Sequence, residues 1–415
     1  MIWRLAVKSL LSRRFSAAVC IAMVALSTLA LLAVDTLYRG TQSAFGRSVQ
    51  GIDLIVGAPT GDINLLLFSA FHVGAPSREL SWQSFSHWRD APGIARAVPL
   101  MLGDTHKGFR VIGTNSALFD HLQQSYNAEV FTQGEAFTHV FDVTLGHEVA
   151  RTLGYRPGDE LILSHGLGNH SFHRHDARTF TVTGVLAATG TPIDKTLQIS
   201  VEGIEAIHWP AAKLASLPER PAIGDIAVLQ PNSVSAFYLT LANKVRTFQI
   251  LRAINQGQTS PSQSEPLLAI LPGVAMTQLW SMLDWVEAAL LGLGLLAVAL
   301  AAIGVASALL GHLDRRLGEF QLLQILGARR RFIHTLLGLE TAALIAIGLI
   351  AGTALTIALE RGFSHWVQSQ WGLNWPLQIN GPWLSGALLV IPLISGFLVG
   401  AVGAWRLRQQ SGSFC

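Results

Sequence analysis

The feature that most restricts how this chain can fold is where its charges are missing. No Asp, Glu, Lys or Arg occurs from Phe15 to Val34, from Ala288 to Leu313, or from Thr341 to Leu359. A fourth gap separates Arg361 from Arg406, with Pro382–Trp405 as its apolar part. A helix rises about 1.5 Å per residue, so roughly 20 apolar residues cross a hydrocarbon core of about 30 Å. Each gap is long enough to span. The expectation is a membrane protein with four transmembrane α-helices and a large extracytoplasmic α+β domain inserted between helices 1 and 2. Composition agrees: only 13% of the 415 residues are charged, against about 25% in an ordinary soluble domain. A chain this apolar is not disordered, and two cysteines, Cys20 and Cys415, do not make a disulfide scaffold. A net charge of +3 gives no reason to expect a nucleic-acid partner.

Basic residues set the orientation, because short basic segments stay in the cytoplasm. Met1–Arg14 carries four positive residues and no acid. The segment Asp314–Arg331 carries five against Asp314 and Glu319, and the tail has Arg406 and Arg408. The long segment Asp35–Asp284 has 17 basic and 21 acidic residues. Both termini are therefore expected inside and the long segment outside. A cleaved leader is the other reading of the first gap. Against it, Met1–Arg14 sets Ile2, Trp3, Leu5, Leu10 and Leu11 among its bases, as a surface-lying amphipathic helix does. No clean small-x-small cleavage site follows. The expected order is cytoplasmic segment 1–14, span 15–34, external domain 35–284, span 285–313, cytoplasmic coupling segment 314–333, span 334–359, external loop 360–381, span 382–405 and tail 406–415.

Within 35–284, β-like runs fall at Ile52–Val56, Arg110–Ile112, Glu160–Leu163, Phe180–Val185, Leu197–Val201 and Ala227–Leu229. Turn residues such as Pro157-Gly158-Asp159 and Gly190-Thr191-Pro192 separate them. Helical patterns fall at Ser81–Asp90, His147–Leu153, Val201–His208 and Ser233–Asn255. Gln256–Glu265 reads as a polar loop, and Met276–Glu287 as a helical stalk continuing into the second span. The segment contains no cysteine, so core packing has to hold it together.

The cytoplasmic segment reads DRRLGEFQLLQILGARRRFI from Asp314 to Ile333. Glu319–Leu326, bracketed by Gly318 and Gly327, is expected to form a short amphipathic helix with an apolar docking face and charged ends. On residues alone, a basic loop that merely fixes topology is the competing reading. The segment resembles the R-x-x-E-I-x-x-L-R-A-L-G-A-x-x-x-x-I stretch of MacB/FtsX-like ABC transporter permeases. Arg315 or Arg316, Glu319, Leu322, Leu323, Leu326, Gly327, Ala328 and Ile333 stand at matching places, followed here by Arg329. Phe320 replaces the usual Ile and Gln324 the usual Arg. Val143–Leu163 is similar to the family's G-x-x-V-A-x-x-L-G-x-x-x-G-D-x-I-x-L stretch, and FTVTGVL (Phe180–Leu186) to its F-x-V-V-G-V-L. One span, a large external domain and three further spans complete the likeness.

The resemblance implies a permease subunit, not itself catalytic, that works as a homo- or heterodimer. Each protomer would engage a cytoplasmic ATPase through Arg315, Arg316, Glu319, Leu323, Gly327, Ala328 and Arg329, in a bacterial inner membrane. No G-x-x-x-x-G-K-[ST] run occurs, so no cofactor is expected on this chain, and ATP-Mg is expected in the partner. Transmission rather than conduction is expected, because the spans offer almost no polar path. Gly348-x-x-x-Gly352 and Gly396-x-x-x-Gly400 permit close helix packing. Glu340 stands out as an acid inside the third span. The resulting push would expel a periplasmic cargo or act on a periplasmic partner protein. An FtsX-like scaffold that activates a cell-wall hydrolase is the alternative; a membrane sensor would need a cytoplasmic output domain.

One motif is left over. SHGLGNHSFHRHD places His165, His170, His173, His175 and Asp176 close together. Imidazoles with a carboxylate suit zinc or copper, and in an extended segment His173 and His175 would share a side. A polar surface loop of ordinary histidines and a pH sensor are the competing readings.

Overall fold

The computed structural model describes residues 11–126, 129–165, 173–174, 178–225, 229–257, 265–325 and 330–371. Three helices among them are long and apolar enough to cross a membrane. These are α1 (Arg14–Ser48) and the stretches Pro272–Ser307 and Gly338–Ser364. The fourth expected span, 382–405, lies outside the described residues. The described chain divides into two compact units, one holding the residues up to Thr41 with Leu283–Ser364, the other Gln42–Met282.

The second unit is α+β. It begins with β1 (Leu54–Gly57), α2 (Asp62–Ala70) and α3 (Trp82–Arg89), then β2 (Ile94–His106) and β3 (Phe109–Thr114). Next come α4 (Ala117–Tyr126), β4 (Phe131–Gly134), β5 (Asp142–Leu145), α5 (His147–Leu153) and the short strands β6 (Glu160–Leu161), β7 (Ser164–His165) and β8 (His173–Arg174). The remainder is β9 (Phe180–Leu186), β10 (Thr196–Ser200), α6 (Val201–Ile207), β11 (Ala236–Leu241), α7 (Thr247–Asn255) and β12 (Leu268–Ile270).

The strands form one mixed sheet in the order β12-β1-β11-β2-β3-β10-β5-β9-β4. β2 joins its two halves. Ile94–Leu100 pairs antiparallel with β11, and Met101–His106 pairs antiparallel with β3. The turn into β3 has only Lys107 and Gly108, at φ 47° and 87°. Two successive left-handed residues make the tight turn whose twist matches that of its strands. This turn fixes Phe109 opposite His106 and aims β3 back along β2.

Packing holds both halves. Phe85 meets Phe237 edge-on at 5.5 Å in the first, and Phe141 meets Phe180 at 5.7 Å in the second. Without disulfides, carboxylates tie down the loops. Buried Asp194 accepts from the Thr189 and Gly190 N–H groups and the Thr189 hydroxyl. Buried Asp142 accepts from the His139 N–H and the Arg220 guanidinium, both at 3.0 Å.

The helical patterns read at Ser81–Asp90, His147–Leu153 and Val201–His208 fall on α3, α5 and α6. Helix over Ser233–Asn255 is overturned. Ser233–Val234 pairs with Leu80–Ser81, Ala236–Leu241 is a central strand, and helix starts only at Thr247. The run AFYLTL is apolar at nearly every position, as a strand buried on both faces must be, and its apparent helical period reflected that burial. Of Ala227–Leu229, only Leu229 is among the described residues.

Glu265 closes the domain across a long sequence separation. Its carboxylate accepts from the Ser84 and Ser81 hydroxyls at 2.6 and 2.7 Å and from the Ser81 N–H at 3.0 Å, beside the start of α3. Burial alone would push this carboxyl up. The Ser84 and Ser81 hydrogen bonds and the charge of Arg78 outweigh that and hold it below its usual range. The clamp is therefore complete above the unfolded chain's carboxyl pKa and is lost as pH falls through the lowered folded value. Glu265→Gln is expected to cost about 0.5–1.5 kcal/mol at neutral pH. In thermal melts of the purified chain, the gap from wild type should close on acidification. A gap independent of pH would exclude the charge as its source.

Candidate functional site

The expected coupling segment is built on the end of a helix that starts far away in sequence. α8 (Pro272–Ile325) runs 54 residues without a break, and α9 (Arg330–Trp371) runs 42. This corrects the expectation of a separate short helix at Glu319–Leu326. Gly318 does not end α8, because one glycine costs a helix only about 1 kcal/mol and no proline accompanies it. Arg315, Arg316, Glu319 and Leu323 thus belong to the last turns of α8. Leu322 and Ile325, three residues apart on one helical face, are 61% and 84% exposed. Leu326, Gly327, Ala328 and Arg329 lie outside the described residues, and Ile333 stands in the first turn of α9.

Between the apolar helices, contact is close where glycine allows it. A Cβ at Gly348 would lie 2.6 Å from the Val24 Cβ, and one at Gly352 would lie 2.7 Å from the Ala25 carbonyl oxygen. Neither would fit, so the Gly348-x-x-x-Gly352 face of α9 rests directly on the backbone of α1. Cys20, Val305 and Leu344 bury one another next to Ala17, Ile21 and Val24, which joins α1, α8 and α9. Gly396 and Gly400 lie outside the described residues.

Glu340 is buried and held in a polar contact. Sequence reading missed a second acid, Glu360, which is only 7% exposed. Neither of its carboxylate oxygens has a hydrogen-bond partner among the described residues. It stands one residue past the third charge gap, where an acid reads as the end of a span. The clue was its distance from Glu340, which places it on the same helix near the opposite end.

The histidine run is only partly described. The backbone places His165 of β7 directly opposite His173 of β8, and also opposite Asp104 of β2. The sequence pointed instead to His173 with His175. His170, His175 and Asp176 lie outside the described residues. Among the described residues, no group of three or more His, Cys, Asp or Glu gathers to hold a metal.

The family comparisons bear on this arrangement directly. The family model for the FtsX-like permease C-terminal region matches residues 291–412, and that for the MacB-like periplasmic core domain matches residues 17–256. The chain belongs to the MacB/FtsX-like permease family. This is a family of inner-membrane ABC transporter permeases with a periplasmic domain, whose ATPase is a separate subunit. The three apolar helices of this permease fit that plan. Among solved structures, it is similar to the periplasmic region of MacB from Actinobacillus actinomycetemcomitans. Identity is 10% and the TM-score 0.36, over 56% of this chain and 95% of that one. It is also similar to the extracellular domain of the noncanonic ABC-type transporter YknZ from Gram-positive bacteria. There, identity is 11% and the TM-score 0.29, over 53% and 98% of the two chains. No curated protein matches the chain.

The α1–α9 contact of the permease is testable. Gly352→Leu should lower the melting temperature of the purified permease, by a stability of about 1–3 kcal/mol, as overpacking does. Gly362→Ala, at a helical position with no atom within 4 Å of the new Cβ, should be neutral or slightly stabilising. Equal effects from both would show that the Gly352 contact does not matter.

Proposed function

We propose that this permease relays a push from a separate cytoplasmic ATPase to its large α+β domain. The observation that carries this reading is the unbroken course of α8. One helix leaves the domain at Pro272, supplies an apolar stretch over Pro272–Ser307, and ends in the segment that resembles the family's coupling motif. At 1.5 Å per residue, a helix of that length extends about 80 Å. Its backbone bonds are all internal, so a displacement at one end is carried to the other. The basic residues of Asp314–Arg331 support a cytoplasmic position for that end. The exposed pair Leu322 and Ile325 supplies an apolar contact for the ATPase, with Arg315, Arg316, Glu319 and Arg329 as charged flanks.

Two protomers, identical or not, would work together, each with its own ATPase. The apolar, glycine-tight contact between α1 and α9 favours transmission over conduction, since it leaves no room for a polar path there. The same push serves to expel a periplasmic cargo or to switch a periplasmic partner.

The test is co-purification of the chain with its ATPase from membranes. Leu322→Asp with Ile325→Asp, Glu319→Lys, and Gly327→Pro should each reduce bound ATPase by about tenfold or more, as loss of a central contact does. The melting temperature of the permease itself should hold. Unchanged ATPase recovery and ATP turnover in all three variants would overturn the docking role.

A further inference from the structure

The α+β domain holds a cavity of about 460 Å³ that the coupling reading does not use. Its size lies within the range of small-molecule sites, about 300–1,000 Å³. Phe45, Leu67, Phe71 and Phe109 form an apolar wall. Phe45 and Phe71 pack against each other at a tilt of 44°, with ring centres 4.6 Å apart. Phe109 is delivered by the tight Lys107-Gly108 turn between β2 and β3.

Two cations face this wall. Arg110, the next residue of β3, and Lys195, just before β10, both line the cavity and are both half-buried. Neither side chain has a hydrogen-bond or ion-pair partner among the described residues. Burial alone moves the Arg110 guanidinium down from its ordinary value. It does the same to the Lys195 ammonium, with the charge of Glu148 offsetting part of it. By contrast, Arg220 pairs with Asp142 and Arg151 with Glu148. Two unpaired, partly desolvated cations beside an aromatic wall destabilise an empty site, and an anion placed between them removes that cost.

A third group completes the rim. α2 ends with the Val73 N–H bonded back to the Leu67 carbonyl at 3.0 Å, a closure that requires a left-handed residue before it. Glycine is the usual choice, yet His72 occupies the position at φ 55°. A side chain held where glycine would be easier costs about 1 kcal/mol or more. The imidazole lines the cavity, and its Nδ1 is shut off from solvent without a hydrogen-bond partner among the described residues. Burial, with the Arg110 charge adding to it, pushes this histidine down to about 4, so it is neutral at physiological pH. A neutral imidazole leaves the positive charge of the site to Arg110 and Lys195 and offers one further polar contact.

We propose that this cavity binds a single-chain amphiphile with an acidic head group, carboxylate or phosphate. The head lies between Arg110 and Lys195, and the chain lies along Phe45, Leu67, Phe71 and Phe109. Charge complementarity selects the head, and the apolar wall selects the tail. A free inorganic anion lacks the second contact and a neutral alcohol lacks the first.

The experiment uses the full-length chain in phosphatidylcholine nanodiscs, without nucleotide or ATPase, so the coupling reading can fail while this one stands. Dansyl-undecanoic acid is titrated and its fluorescence followed. A saturable, blue-shifted signal at one probe per chain is expected. Lauric acid and dodecyl phosphate should displace it, whichever is stronger naming the preferred head group, while dodecanol and inorganic phosphate should not. Arg110→Gln and Lys195→Gln should each weaken binding about tenfold, the loss of one charge-assisted contact. Arg110→Lys and Lys195→Arg, which keep the charge but change the donor geometry, should bind more tightly than the corresponding Gln variants. Circular dichroism and melting of each variant separate lost binding from lost folding. An absent or non-saturable signal would overturn the proposal. So would displacement by dodecanol equal to that by lauric acid, or unchanged affinity in the folded double Gln variant.

Discussion

A peptide N–H or C=O carried into hydrocarbon has no water to bond, so it must close its hydrogen bond within its own helix. The long elements of this permease follow from that requirement. α1, α8 and α9 run 35, 54 and 42 residues, well past what a bilayer needs. Gly318, in the basic segment beyond the apolar stretch, passes unnoticed inside α8 because one glycine costs a helix only about 1 kcal/mol. Glycine matters instead between helices. At Gly348 and Gly352 the missing Cβ lets α9 touch the backbone of α1, and dispersion contacts at that distance replace the hydrophobic drive that lipid cannot supply. Helices packed this way touch through backbone as well as side chains.

Outside the apolar helices the problem is the reverse, a large domain with no disulfide. Its solution is a sheet whose halves share the 13-residue strand β2. A strand common to both halves makes them one body, and buried carboxylates such as Asp142 and Asp194 fix the loops where backbone N–H groups would otherwise go unpaired. Arg110 and Lys195 have no such carboxylate partner among the described residues, although both line one cavity.

Much of this was legible from the chain alone, and the failures have physical causes. The charge gaps located three long apolar helices, because exclusion of charge from hydrocarbon is a one-dimensional property, readable residue by residue. α3 was legible because Ser81 caps it and Phe85 and Trp88 recur at helical spacing. Ala236–Leu241 was misread as helix, since a strand buried on both faces has no alternation to betray it. Glu360 was overlooked for a related reason: an acid at the edge of an apolar run reads as exposed, and only packing shows it buried. In the histidine run, strand register sets His165 opposite His173, which their spacing in the chain does not show.

By itself, then, the sequence determined the apolar helices, the basic segments between them, the inserted α+β domain and the motif that resembles the family's coupling segment. Each is a local pattern of charge, hydropathy or spacing, and local patterns survive without coordinates. Only the tertiary structure decided that the coupling residues end a single helix begun at Pro272, that Gly348 and Gly352 meet Val24 and Ala25, and that β2 serves both half-sheets. It alone brought Phe45, His72, Arg110 and Lys195 around one cavity. Those four come from separate stretches of the chain, and no periodicity links them. Their meeting is set by strand register and by the turns that aim each element, and these depend on contacts between residues far apart in sequence.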